Sequence, residues 1–250
     1  MQSRSAPNLT RMIGRKLRSL VGIYRASDAW PRGVVSFTFD DFPKSARTAG
    51  GGILERHGAR GTYYVAAKLA KTDGAVGRLF DVEDISAAHH NGHEIGCHTY
   101  THLKCSEADK SSMIAEVRAN AAALASMIKG FVPKNFAYPY GAVSPLAKRV
   151  LKPYFSSCRG IRPGINEGSL DLSELLANSV YDSTFDETRM RGLIDQSSAV
   201  GGWLIFYTHD VCETPSPYGC RPEQWDAIVA YAAKRTTVLP VRDVLAGLGL

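Results

Sequence analysis

From Gly33 onward, short apolar runs alternate with longer stretches whose apolar residues recur every three or four positions. The runs Val34–Phe39, Thr62–Ala66, Glu94–His98, Asn135–Tyr138, Tyr154–Ser157, Leu175–Val180, Trp203–Thr208 and Thr237–Pro240 read as strands. The stretches near 45–57, 82–91, 107–128, 143–151, 187–199, 222–234 and 241–248 read as helices. Strands separated by helical stretches at this spacing imply parallel pairing through helical crossovers. Seven or eight such units between residues 33 and 250 predict an α/β fold, a distorted (β/α) barrel of seven or eight strands. A doubly wound open sheet is the alternative.

The first 32 residues follow another pattern. Leu9, Met12, Ile13, Leu17, Leu20, Val21 and Tyr24 form a helical stripe set among basic residues, and Trp30-Pro31-Arg32-Gly33 is a turn that closes it. The chain therefore divides into a basic amphipathic leader, 1–32, and one domain, 33–250. Charge sharpens this division. The 250 residues carry 30 Lys+Arg against 24 Asp+Glu, a net +6. Seven of those bases and a single acid, Asp28, lie in residues 1–32, so the remainder is neutral. A nucleic-acid-binding body is excluded, because it needs a basic stripe to neutralise phosphates. For the leader two readings stay open: an extra helix packed on the domain, the commoner case, or contact of residues 9–24 with an anionic membrane surface.

No apolar run reaches the ~18 residues of a membrane-spanning helix. Arg11, Arg15, Lys16 and Arg18 interrupt what a signal peptide would keep apolar. Five cysteines (97, 105, 158, 212 and 220), with no C-x-x-C pair, favour reduced thiols. The expected location is cytoplasmic, peripheral at the inner membrane surface under the second reading of the leader.

Candidate chemistry sits where predicted strands end, the rim at which barrels of this kind collect their functional residues. Asp40-Asp41 follows the first strand, either as turn residues or as a metal ligand beside a base. His98 and His102, four residues apart, have the reach to share one metal ion if they lie on one face of a helical turn. Tyr138-Pro139-Tyr140-Gly141 is a turn whose aromatics suit a sugar-binding wall and whose backbone N–H could face an oxyanion. Trp203–Thr208 ends in His209, a candidate general acid. His57, His89, His90 and His93 read as surface or supporting residues, and Cys97 as a small core residue.

Thr-Phe-Asp-Asp, then His-Thr-x-x-His, then Pro-Tyr-Gly, then an apolar strand ending in His, in that order, resembles the NodB-homology polysaccharide deacetylases, carbohydrate esterase family 4. The resemblance spans about residues 33–245 and leaves out the leader. It implies a metal-dependent deacetylase that hydrolyses N-acetyl or other acyl groups of an oligo- or polysaccharide, chitooligosaccharide-like. Asp40 would be the catalytic base that activates the attacking water, and Asp41, His98 and His102 the metal ligands. Tyr140 would supply the oxyanion N–H and His209 the general acid. The ion implied is Zn²⁺, with Co²⁺, Ni²⁺ or Mn²⁺ as alternatives for such a donor set.

The sequence departs from the family in one respect. Where the family often carries an Arg that orients the catalytic Asp, this chain has Ala137. Arg159, at the end of the next predicted strand, is the expected substitute, with Arg162 the second choice. Tyr138, Tyr140, Trp203 and Tyr218 are the candidate sugar-stacking residues, and Pro139 shapes their turn. Two other functions remain open: a carbohydrate-binding pseudoenzyme, and a hydrolase of small ureides or imides on the same fold. The sequence leaves the oligomeric state undecided.

Overall fold

The computed structural model describes residues 24–250. The leader helix expected through residues 9–24 lies outside the described residues except for Tyr24. In chain order the elements are α1 (Ala26–Ala29), β1 (Val34–Phe39), α2 (Gly52–Arg56, entered through a π-helical turn, Ala46–Gly51), β2 (Thr62–Val65), a small hairpin of β3 (Asp73–Gly74) and β4 (Gly77–Arg78), α3 (Val82–His90), β5 (Glu94–Cys97), α4 (Lys110–Met127), β6 (Asn135–Ala137), α5 (Pro145–Leu151), β7 (Ser157–Arg159), β8 (Asn178–Ser179), α6 (Glu187–Val200), β9 (Trp203–Thr208), α7 (Pro222–Arg235), β10 (Thr237–Val238) and α8 (Val241–Leu248). Four of the helices begin where the sequence supplies a side-chain cap. Asp81 and Asp84 form a reciprocal capping box on α3, and Asp109, Ser144 and Asp186 cap α4, α5 and α6.

The main sheet is parallel throughout, in the order β7-β6-β5-β2-β1-β9-β8, with β10 beside the start of β1. Its two edges meet. Arg159 of β7 bridges Leu175, with Leu175 N–H donating to Cys158 O (2.8 Å) and Gly160 N–H to Leu175 O (2.9 Å). Three residues later Asn178 pairs with Phe206 of β9. The ring is thus a distorted barrel of seven strands closed by one short bridge, the architecture the element pattern predicts.

Three strands differ from expectation, Thr237–Pro240 being cut to Thr237–Val238, and the β3–β4 hairpin was not expected. The strand expected over Tyr154–Ser157 lies at Ser157–Arg159, because the turn after α5 runs through Pro153 and Tyr154. The strand expected over Leu175–Val180 shrinks to two residues, since this segment pairs first with β7 and then with β9.

β1 and β9 form the core, six residues each and all buried. Val35, Phe37 and Phe39 of β1 and Leu204 and Phe206 of β9 turn outward under the helices, where Phe37 meets Trp225 of α7 at 5.1 Å. Burying each such side chain contributes about 1.5–3 kcal/mol. α8 closes the N-terminal end of the barrel. Its first amides donate inward, Val241 N–H to Thr62 Oγ1 (3.0 Å) and Arg242 N–H to Glu94 Oε2 (2.8 Å). The end of the leader belongs to this layer: Ala26 is buried and Trp30 packs on α8 beside Gly247.

Candidate active site

Because every strand of the ring runs the same way, the residues that follow each strand gather on one rim. The β1–β9 register pairs Phe39 with Thr208, so Asp40 and His209 emerge side by side, with Asp40 N–H donating to Thr208 O at 3.0 Å. Successive residues of an extended chain point apart. Asp41 (φ 60°) and Phe42 (φ 56°) leave the extended region at once, which lets both aspartates serve one site. Thr99 (φ 59°), His102 (φ 64°) and Tyr140 (φ 59°) are also left-handed. Among the described residues only one other non-glycine, Lys71, has positive φ, so this strain, of order 1–3 kcal/mol per residue, concentrates at the rim.

His98 and His102 do meet, their rings 4.9 Å apart, but not on a helical turn. The backbone between them is irregular, and its two left-handed residues bring His102 round to His98. Asp41 Oδ1 lies 3.2 Å from His102 Nε2 and 3.7 Å from His98 Nε2, and the three ligand atoms all lie within 4.8 Å of one another. His98 Nδ1 donates to the carbonyl of Ala137 at 2.8 Å, which leaves Nε2 as a bare acceptor. Burial lowers the pKa of His98 to about 4, so its ring is neutral at pH 7. Asp41 Oδ1 is buried and takes no hydrogen bond from the described residues. Asp41 Oδ1 and His98 Nε2 are thus two acceptors facing each other at 3.7 Å, which repel unless a cation sits between them. The set fits a divalent metal.

Asp40 lies just below, buried, and Arg159 Nη2 donates to both its oxygens at 2.5 and 2.6 Å. Burial alone would raise the pKa of Asp40, but Arg159, aided by His98 and His209, holds it below the usual carboxylate range. The guanidinium is fully buried and lies over the rings of Tyr64 (5.1 Å) and Tyr207 (4.9 Å), while Nη1 donates to Gly160 O. Arg162 stays at the rim near Glu174. Ala137, which stands where the resemblance leads one to expect an Arg, is the register partner of Arg159 on the neighbouring strand. The cation has the same height in the barrel, one strand over. His209 Nε2 lies 4.0 Å from Asp41 Oδ2, and its Nδ1 lies 3.2 Å from the Tyr218 carbonyl. Asp210 turns away to accept from Ser216 N–H and Oγ and does not orient His209.

These groups floor a cleft of about 640 Å³. Tyr140 and Ile161 stand on one side and Tyr181, Tyr218 and His209 on the other, with the β3–β4 segment completing the wall. Tyr140 is 64% exposed, its ring edge-on to His102 at 4.4 Å. Two expected sugar-stacking residues do not reach the cleft. Tyr138 is buried among Phe136 and Cys158, its hydroxyl donating to Ser173 O. Trp203 begins β9 at the opposite end of the barrel, fully buried, its indole N–H bonded to Ser36 Oγ. Pro139 is buried under the turn and does not line the cleft either. His93, read as a surface or supporting residue, is fully buried against Glu55. Tyr181 and Tyr207 were not anticipated. Strand alternation from His209 places Tyr207 on the inner face, and Tyr181 stands two residues beyond β8.

Comparison with known proteins agrees with this geometry. The polysaccharide deacetylase family profile matches residues 28–154, and the chain belongs to that family. A chitin deacetylase of Arthroderma benhamiae is 29% identical over 120 residues, a match covering 48% of this chain and 31% of that protein. The chain thus spans under a third of that relative's length. Among solved structures, a putative polysaccharide deacetylase from Mycobacterium smegmatis shares the fold with a TM-score of 0.62, at 17% identity over 88% of this chain and 92% of its own. A family 4 acetyl xylan esterase from Clostridium thermocellum, in complex with a cobalt ion, superposes with a TM-score of 0.56, at 19% identity over 85% and 90%.

Proposed function

We propose that the protein is a metal-dependent deacetylase that removes N-acetyl, or other acyl, groups from an oligo- or polysaccharide. The observation that carries this reading is the juxtaposition of the Asp41-His98-His102 cluster with Asp40 and His209 on one cleft floor, Asp40 being paired with the buried Arg159. A divalent cation there would supply Lewis acidity, polarising an acyl carbonyl and easing deprotonation of water near neutral pH. Zn²⁺ suits two imidazoles and a carboxylate, and Co²⁺, Ni²⁺ and Mn²⁺ are the alternatives.

In this reading Asp40, kept ionised by Arg159, takes the proton of the attacking water. The Tyr140 N–H steadies the negative charge that develops on the acyl oxygen. His209, held through Nδ1 by the Tyr218 carbonyl, gives a proton to the departing amine from Nε2. Tyr140, Tyr218 and Tyr181 offer ring faces to sugars in a cleft whose domain carries no net charge, which suits a neutral N-acetylated substrate. Chitooligosaccharide is the substrate of first choice, by similarity to the chitin deacetylase. The intact Asp40–Arg159 pair counts against a pseudoenzyme.

Acetate release from chitooligosaccharide, with and without chelator, tests the reading. Asp40→Asn is expected to lower kcat about 10²–10⁴-fold with metal affinity retained. Retained turnover would remove Asp40 as the base, and saccharide binding without acetate release under any metal would leave a binding module.

A further inference from the structure

His98 and His102 are joined by an irregular segment containing two left-handed non-glycine residues, Thr99 and His102. Such a segment keeps one shape only if its surroundings over-determine it. At its start His98 N–H donates to Val65 O at 3.0 Å, and at its end Leu103 N–H donates to Thr99 Oγ1 at 2.8 Å. Its middle is held by one backbone bond, Lys68 N–H donating to Tyr100 O at 3.0 Å, and by one side chain. Glu116, in the second turn of α4, accepts from Tyr100 N–H (2.8 Å) and Thr101 N–H (2.7 Å) at Oε2, and from Thr101 Oγ1 (2.9 Å) at Oε1.

α4 is in turn fixed to the same strands. Asn120 lies four residues along, on the same helix face as Glu116. Its Oδ1 accepts from Ala67 N–H at 2.8 Å, while its Nδ2 donates to Val65 O at 2.9 Å and to Cys97 Sγ at 3.2 Å. Those partners follow or end β2 and β5, the strands that deliver His98. One face of one helix therefore spans from the barrel rim to the histidine loop.

We propose that Glu116 is a positioning residue for the metal centre, clamping the Tyr100–Thr101 backbone so that His102 Nε2 faces Asp41 Oδ1. The inference rests on the metal-dependent reading above and adds to it a residue on the next helix that touches neither metal nor substrate. Supporting partners of this kind typically govern metal affinity by about 10–100-fold.

The experiment compares Glu116→Ala and Glu116→Gln in the full chain. Zn²⁺ affinity is measured by competition with a chromophoric chelator, and the ligand set is read from the visible spectrum of the Co²⁺ form. Gln keeps an oxygen for the two N–H groups and can donate to Thr101 Oγ1, so near-parental affinity and spectrum are expected. Ala is expected to weaken Zn²⁺ about 10–100-fold and to alter the Co²⁺ spectrum, with kcat recovering in excess metal. Ala affinity within roughly twofold of the parent, with an unchanged spectrum, would overturn the proposal, since that is far below the usual effect of such partners. Should the Ala variant fail to fold, Thr101→Val, which deletes one of the three bonds, carries the test: weaker metal binding supports the clamp and unchanged binding overturns it. A parental protein that binds neither ion would instead overturn the metal-dependent reading itself.

Discussion

Arg159 shows how much a single residue can hang on its surroundings. Its guanidinium is fully buried, gives one nitrogen to both Asp40 oxygens, and lies over the rings of Tyr64 and Tyr207. Breaking a buried ion pair by removing one partner costs more than the pair itself contributes, because the other charge is left unpaired. Arg159→Leu is therefore expected to lower stability by about 3–5 kcal/mol, measured by urea denaturation. Asp40→Asn in the Arg159→Leu background should recover most of that loss. Simply additive effects of the two substitutions would show that the pair is not the source of the cost. Asp40, Asp41, His98 and His209 were legible in the sequence because they stand where an apolar run ends, and His102 because it lies four residues from His98. Tyr138 and Trp203 were misread because aromatic identity does not reveal which way a strand residue faces or at which end of the barrel it lies.

At the scale of elements, β5 makes room for what β2 carries. A Cβ on Gly96 would stand 2.5 Å from the Tyr64 ring, the ring that covers one face of Arg159. Gly96→Ala is expected to destabilise the fold by about 1–3 kcal/mol, the usual cost of overpacking, and Tyr64→Leu in the same chain should relieve part of it. Thermal unfolding of the parent and the two variants checks this, and a neutral Gly96→Ala would show that the ring can shift without cost. The periodicity of the sequence located most helices and the long strands β1 and β9 to within a residue or two. It misplaced β7 and lengthened β8, whose pairing depends on where distant strands end.

For the whole molecule, the buried histidines set how stability responds to acid. His93 Nδ1 accepts from Gly61 N–H at 2.9 Å, so Nε2 bears the proton and donates to Glu55 at 2.9 Å. Burial drives its pKa below the ordinary 6.5. As pH falls through 6.5 the unfolded chain takes up a proton that the folded chain refuses, so unfolding becomes easier. The urea midpoint should therefore drop from about pH 7 toward pH 5. In His93→Gln the slope should lessen without vanishing, because the lowered His98 acts in the same direction. An unchanged slope would assign the acid sensitivity elsewhere.

The sequence by itself determined the alternation of strands and helices, hence a parallel sheet, and the identities of the polar residues at its rim. Both follow from local pattern, since apolar period sets the element and the end of an apolar run sets where chemistry can begin. Only the tertiary structure decided that the ring closes through Arg159 and Leu175, that Arg159 rather than Arg162 pairs with Asp40, and which tyrosines face the cleft. Each of these depends on the register between strands far apart in the chain, and hydrophobic pattern fixes which face of a strand is buried without fixing what it meets.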